Sequence, residues 1–128
     1  MADRVITVGA SGCDYTTPAI AVAGVSEDFS STDNLIFRIN SGTYGRFVIS
    51  GYSTTSSHRV IFECASDSYH NMLRSEGVII SNGNGYTVQE SGLAYVTFSG
   101  IAFTTTANDI PAVLKINTNY CIVQNCIA

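Results

Sequence analysis

Short runs in which apolar and polar positions alternate recur along the chain, and two of these runs repeat one another. Residues 95–103 (YVTFSGIAF) and residues 120–128 (YCIVQNCIA) share one pattern at an offset of 25 positions. In each copy alternation places two side chains on one face, Val96 and Phe98 in the first and Cys121 and Val123 in the second. A polar residue follows, and then Gly100 or Asn125 takes the same slot. Glycine and asparagine accept positive φ most readily, so that slot predicts a tight corner between two strands. Beyond the corner, Ile101 and Phe103, or Cys126 and Ala128, point inward again. A looser match upstream sets Tyr86 and Val88 in the role of Leu114 and Ile116, at an offset of 28.

A unit of this length, made of short strands and corners, cannot cover its inward face alone and must stack on copies of itself. The pattern therefore predicts an all-β fold, a parallel β-helix (a solenoid). Residues 1–34 form its first segment. Residues 4–8 read as a strand, followed by a glycine-rich turn and the one helix the sequence supports. Thr17 suits the N-cap, Pro18 the first helical position and Gly24 the C-cap. Because Ala19, Ile20, Ala21, Val22 and Ala23 are apolar nearly all round, this helix is expected to be largely buried, capping the first coil and its open edge.

Residues 35–128 hold the stacked coils. Leu35, Phe37 and Ile39 point inward, with Ile36 and Arg38 outward; residues 40–45 are a turn and Phe47-Val48-Ile49 a strand. Val60, Phe62 and Cys64 face in while Ile61 and Glu63 face out. Residues 65–76 follow neither period and read as an excursion, after which Val78 and Ile80 resume the strand pattern. The given residues stop within a strand, so the coils are expected to continue in a longer polypeptide or to be covered by a neighbouring chain.

Composition narrows the function classes. Charged residues are 12% of the 128, against roughly 25% in ordinary globular chains. Net charge is −4 and the six Arg and Lys are scattered, so there is no basic stripe for nucleic acid. No apolar run approaches the ~20 residues of a membrane span, and no membrane insertion is expected. The start shows no secretory signal, so the four cysteines are read as reduced thiols rather than a disulfide framework.

The residues Val8-Gly9 through Cys13-Asp14-Tyr15-Thr16-Thr17, the Asn40-Ser41-Gly42-Thr43-Tyr44 turn and the paired strands about Gly100 and Asn125 resemble the N-terminal region of right-handed β-helix proteins of the pectin-lyase-like fold. More narrowly, Gly51 to Thr55, His58-Arg59-Val60, His70 and Gly77-Val78, in that order, are similar to uncharacterised β-helix proteins of phage and environmental origin. The resemblance covers nearly the whole chain, and its motifs specify coils and turns. It implies a right-handed coil. It also implies a wide set of roles, from polysaccharide lyases and glycosidases to phage tailspikes and other virion surface proteins.

Lyases of this fold hold calcium with clustered carboxylates. Here Asp28, Asp33, Glu63, Asp67, Glu76, Glu90 and Asp109 lie mostly in loops, and no DxD-like pair falls on a strand, so no metal is expected. For glycoside hydrolysis, which needs two carboxyls ~5–9.5 Å apart, Glu63 with Asp67 or Glu76 is the least poor pair; the preferred reading is solvated surface. His58 and His70 flank the 65–76 excursion with Tyr69 adjacent, lack a third ligand at a recognisable spacing, and read as turn residues. Tyr69, His70 and Glu76 are loop candidates for binding. Tyr95 and Tyr120 recur at the 25-residue offset and so suggest a structural ladder rather than a sugar-stacking patch. The Gly9–Cys13 run fails GxSxG because Cys13 stands at the last glycine, and the Gly83–Val88 run fails GxGxxG at Val88.

The expectation from resemblance and composition together is a non-catalytic phage virion component, a tail fibre, spike or capsid-surface decoration. It would be assembled in the host cytoplasm, without a cofactor. Its partners would be other virion proteins, further copies of itself and a host-surface glycan. The alternative is a carbohydrate-active polysaccharide lyase or glycoside hydrolase whose active site lies on later coils.

Overall fold

A computed structural model of the chain describes residues 2–25, 32–49, 52–65, 77–82, 88–90, 95–105, 114–115 and 121–126. Among these described residues the fold is all-β with one short helix. Eleven strands appear in order: β1 (Ala2–Val8), β2 (Thr32–Ile39), β3 (Gly42–Tyr44), β4 (Phe47–Ile49), β5 (Val60–Cys64), β6 (Val78–Asn82), β7 (Val88–Glu90), β8 (Val96–Ser99), β9 (Ile101–Thr105), β10 (Leu114–Lys115) and β11 (Ile122–Gln124). The helix α1 (Pro18–Gly24) lies between β1 and β2.

The strands form three sheets, ordered β1-β2-β5-β8-β11, β3-β6-β9 and β10-β7-β4. Every pairing between these strands is parallel. From β2 onward the chain visits the first, second and third sheet in a fixed rotation, returning to the first at β5, β8 and β11. Parallel neighbours need long connections, which is why no strand pairs with its sequence neighbour except β1 with β2, on either side of α1. Strand β2 runs continuously across residue 34.

The repeat read from the sequence is correct for the first sheet. Val123 pairs with Phe98, as the 25-residue offset requires, and Leu35 pairs with Val60 at the same spacing. Val60 pairs with Val96, 36 positions on, because the segment containing residues 66–76 lies between them. The upstream match needs correcting. Val88 pairs with Leu114 and Gln89 with Lys115, an offset of 26 rather than 28. Strand β7 is also held on its other side by β4, where Val88 pairs with Phe47. Tyr86 and Ile116 are outside the described residues.

Inward alternation builds the core. Leu35, Phe37, Ile39, Val60, Phe62, Val78, Ile80, Val96, Phe98 and Ile101 have no exposed surface. The phenyl rings of Phe37 and Phe62 stack at 4.9 Å and 7°, and those of Phe62 and Phe98 at 5.5 Å and 16°. Phe47 tilts against Phe62 at 5.3 Å, and Phe103 meets Phe98 edge-on at 5.9 Å. These contacts join all three sheets through one aromatic column. Two outward positions depart from expectation. Ile36 is 7% exposed, because it sits between Val5 and Ile61 in a row of branched side chains, and Thr97 in the same row is also buried.

The corner slot behaves as the sequence implied: Gly100 has φ 72° and Asn125 φ 53°. The expected turn over residues 40–45 instead contains β3. Gly42 pairs with Val78, and buried Tyr44 donates its hydroxyl to the Asn40 carbonyl at 2.8 Å.

Helix α1 starts as predicted. Thr17 is extended, and its Oγ1 accepts the Ile20 N–H at 3.2 Å, with Pro18 opening the helix. Its end differs. Gly24 is the last helical residue, and Val25, in an extended conformation, closes the helix by donating to the Ala21 carbonyl at 3.0 Å. Gly24 is small for a contact reason: a Cβ there would stand 3.0 Å from the Tyr15 ring. Nor is the helix largely buried. Pro18 and Ala21 are covered, whereas Ile20 is 53% exposed, because only one face packs against β4, β1 and β2.

Candidate functional site

The first sheet's outward face carries a set of polar contacts arranged by strand register. Residues one step before the first inward pair fall into a row: Asp3, Asn34, Arg59 and Tyr95. Asn34 donates both its backbone N–H and its side-chain Nδ2 to Asp3 Oδ1 at 3.1 Å. Asn34 Oδ1 in turn accepts the Arg59 N–H at 3.0 Å. The Arg59 guanidinium lies 5.3 Å from the centre of the Tyr95 ring, within the range of a cation–π contact. Tyr95 itself has φ 58°, a conformation that costs a non-glycine residue roughly 1–2 kcal/mol. Its carbonyl accepts the Val60 N–H at 3.3 Å, so the strained turn feeds the sheet ladder.

Sequence reading missed this row as a unit. Its members differ in chemistry and are spaced by 31, 25 and 36 positions. The available signal was positional: Asn34, Arg59 and Tyr95 each immediately precede the first fully buried residue of a strand, Leu35, Val60 or Val96.

Glu63 occupies the outward face of β5 as expected, in a second polar row. Register places it beside Arg38 of β2 and Ser99 of β8. Arg38 Nε lies 3.3 Å from Glu63 Oε2, with both side chains partly exposed. This pairing gives the carboxylate a cationic neighbour on the adjacent strand. Its suggested partners Asp67 and Glu76, and the loop candidates Tyr69 and His70, are outside the described residues. His58 is engaged in a turn, as read from the sequence: its backbone exchanges hydrogen bonds with Thr55 at 3.0 and 3.1 Å. Its ring Nδ1 lies 2.9 Å from the Asp33 carbonyl oxygen, tying that turn to β2.

Thiols and phenols lie closer to the core. Cys64 and Cys126 are partly buried, and burial pushes both thiols above their ordinary pKa. A thiol so shifted stays protonated and is a poor nucleophile or metal ligand near neutrality. Cys121 and Cys126 pack against the core as predicted, and Cys126 Sγ lies 3.3 Å from the Gln124 carbonyl. Burial also raises Tyr44, with a smaller contribution from Cys13. Tyr52 is pushed up to about 12, first by burial and then by Tyr15, against a lowering effect of Arg4. Its hydroxyl lies 3.1 Å from the Val22 carbonyl oxygen and 3.0 Å from that of Val25.

Among the described residues no group of three or more His, Cys, Asp or Glu is placed to hold a metal ion. Likewise among them, no helix is long and apolar enough to cross a membrane. A cavity of about 350 Å³ lies between α1 and β4, lined by Ala19, Val22, Ala23, Phe47 and Val48. Chemically, these contacts of Asp3, Asn34, Arg59 and Glu63 link neighbouring strands or their flanks. No protein-family model, no curated protein and no solved structure matches this chain.

Proposed function

We propose that the three sheets are the walls of one right-handed parallel β-helix of the pectin-lyase-like kind, capped at its first coil by α1. In this reading the coil is a non-catalytic, rigid scaffold within a phage particle, as a tail fibre, a spike or a capsid-surface protein. The fixed rotation of the chain through three parallel sheets supports the coil. Its hand follows from the strong general preference of parallel crossovers for the right-handed form. The packing of α1 against β4, β1 and β2 supports the capping role.

One observation carries the scaffold reading: the continuous stack of Phe37, Phe62 and Phe98, flanked by Phe47 and Phe103. A close-packed column of rings resists bending because interior voids and off-rotamer side chains are costly. The outward ties of Asp3 to Asn34, Asn34 to Arg59 and Arg38 to Glu63 link strands of the same wall. Assignment to a phage particle rests on the sequence resemblance. Its partners are then other virion proteins, further copies of the chain and a host-surface glycan.

Mass spectrometry of purified particles from the source material, with antibody labelling of the same particles, tests the assignment. Peptides of this chain at a stoichiometry of structural proteins are expected; their absence from particles overturns it. Polysaccharide depolymerisation by the native protein that disappears with Glu63→Gln would replace the scaffold with a carbohydrate-active enzyme.

A further inference from the structure

Helix α1 is attached differently from every strand around it. Its seven residues are too few for a helix to persist without tertiary support. The support comes from few side chains: within the helix only Pro18 and Ala21, both small, are buried, Val22 is partly buried against the core, the capping Val25 is buried, and the long side chain of Ile20 is 53% exposed. Phe47 and Val48 point to opposite faces of β4. Both nevertheless line the 350 Å³ cavity together with Ala19, Val22 and Ala23. That gap therefore reaches the edge of the strand, beside the face on which the helix packs against β4.

Tyr52 bridges the two. Its ring is 7% exposed and lies 6.5 Å from Phe37, at the head of the aromatic column. Its hydroxyl reaches the carbonyl oxygens of Val22 and Val25 at the end of the helix, and the bond to Val25 is buried. One proton is shared between two acceptors. Without it those carbonyls lose a partner in a place where water replaces it poorly.

We propose that α1 is a separately opening element, latched to the stacked interior by the Tyr52 hydroxyl, so that it lifts from the β4 edge while the sheets stay folded. Thr17 holds the opposite end through the Ile20 N–H and sets the helix start. The latch thus acts at the C-terminal end, next to Gly24, where the helix lies directly against Tyr15. Elements with few buried apolar contacts open at lower free energy than the core of the same protein. Opening would bare the free edge of β4, whose strand neighbour in the third sheet is β7. This inference is independent of the particle assignment.

Amide hydrogen exchange on the intact protein and on Tyr52→Phe tests it. Phenylalanine keeps the ring and removes only the donor. Exchange at the Ala21 and Val25 amides is expected to accelerate about tenfold, the effect of one lost hydrogen bond, with the Phe62 and Phe98 amides unchanged. Thr17→Ala, which loosens the helix from its other end, is expected to accelerate the same amides. Unchanged exchange in Tyr52→Phe, acceleration with Thr17→Ala alone, an equal acceleration in helix and strands, or failure of Tyr52→Phe to fold would each overturn the proposal.

Discussion

Phe62 and Val123 stand in the same inward row of the first sheet, linked through Phe98, and their surroundings are opposite. Phe62 is enclosed, with Phe37 stacked on one side, Phe98 on the other and Phe47 across from it. Val123 is in register on Phe98 yet remains 47% exposed, on an edge strand of the sheet. An inward position is therefore not sufficient for burial. A side chain at the end of a stacked row needs cover from another element: Ile6 and Val8 on the opposite edge strand, β1, are buried where α1 packs against it.

That contrast sets an order of effects. Phe62→Ala should be the most damaging substitution, destabilising by about 3–5 kcal/mol, because it empties the middle of the column. Val123→Ala should cost less than about 1 kcal/mol, since its side chain has given up only part of its contact with water. Denaturant unfolding of the two variants measures the difference directly, and equal losses would break the comparison.

The two corner slots sharpen it along the backbone. Gly100 and Asn125 share positive φ, so Gly100→Ala is expected to lose roughly 1–2 kcal/mol from conformational strain. Asn125→Gly should change stability by only a few tenths of a kcal/mol, since both residues accept that region, glycine at a small entropic cost. Thermal melts of both variants check this; a costly Asn125→Gly would mean that its side chain, not its backbone, holds the corner.

Alkali tests the other end of the molecule. Burial pushes the Tyr52 phenol up to about 12 from an ordinary 10, so the folded state favours the protonated form. Its contribution is complete below pH 10 and is lost as pH rises from 10 to 12. The loss should be on the order of 1–2 kcal/mol, after discounting for solvent near the hydroxyl. Tyr52→Phe should flatten that part of the stability profile; an unchanged slope would assign it to other groups. The smallest effect belongs to the surface pair: Glu63→Gln should shift stability by less than about 1 kcal/mol, less at high salt, as measured by denaturant titration with and without added salt.

Much of this was legible from residues alone. Alternation placed Leu35, Phe37, Val60, Phe62, Val96 and Phe98 inward, and a 25-residue offset put Val123 on Phe98. The start of α1 could be read because Thr17 and Pro18 act within one turn of themselves. The candidate polar row was not legible. Asp3, Asn34, Arg59 and Tyr95 become neighbours only when strands of unequal spacing come into register. Gly24 shows the same limit, since its smallness answers to Tyr15, nine positions away, and not to its own backbone.

By itself, then, the sequence determined the local alternation, the corner slots and the helix start, because each depends on residues within a few positions of one another. The tertiary structure decided the pairing of Val88 with Leu114, the exposure of Ile20 and Val123, and the ties between Asn34, Arg59 and their neighbours. Those depend on contacts between residues some 25–36 positions apart, whose alignment is set by the length of everything between them and by strands pairing on both sides at once.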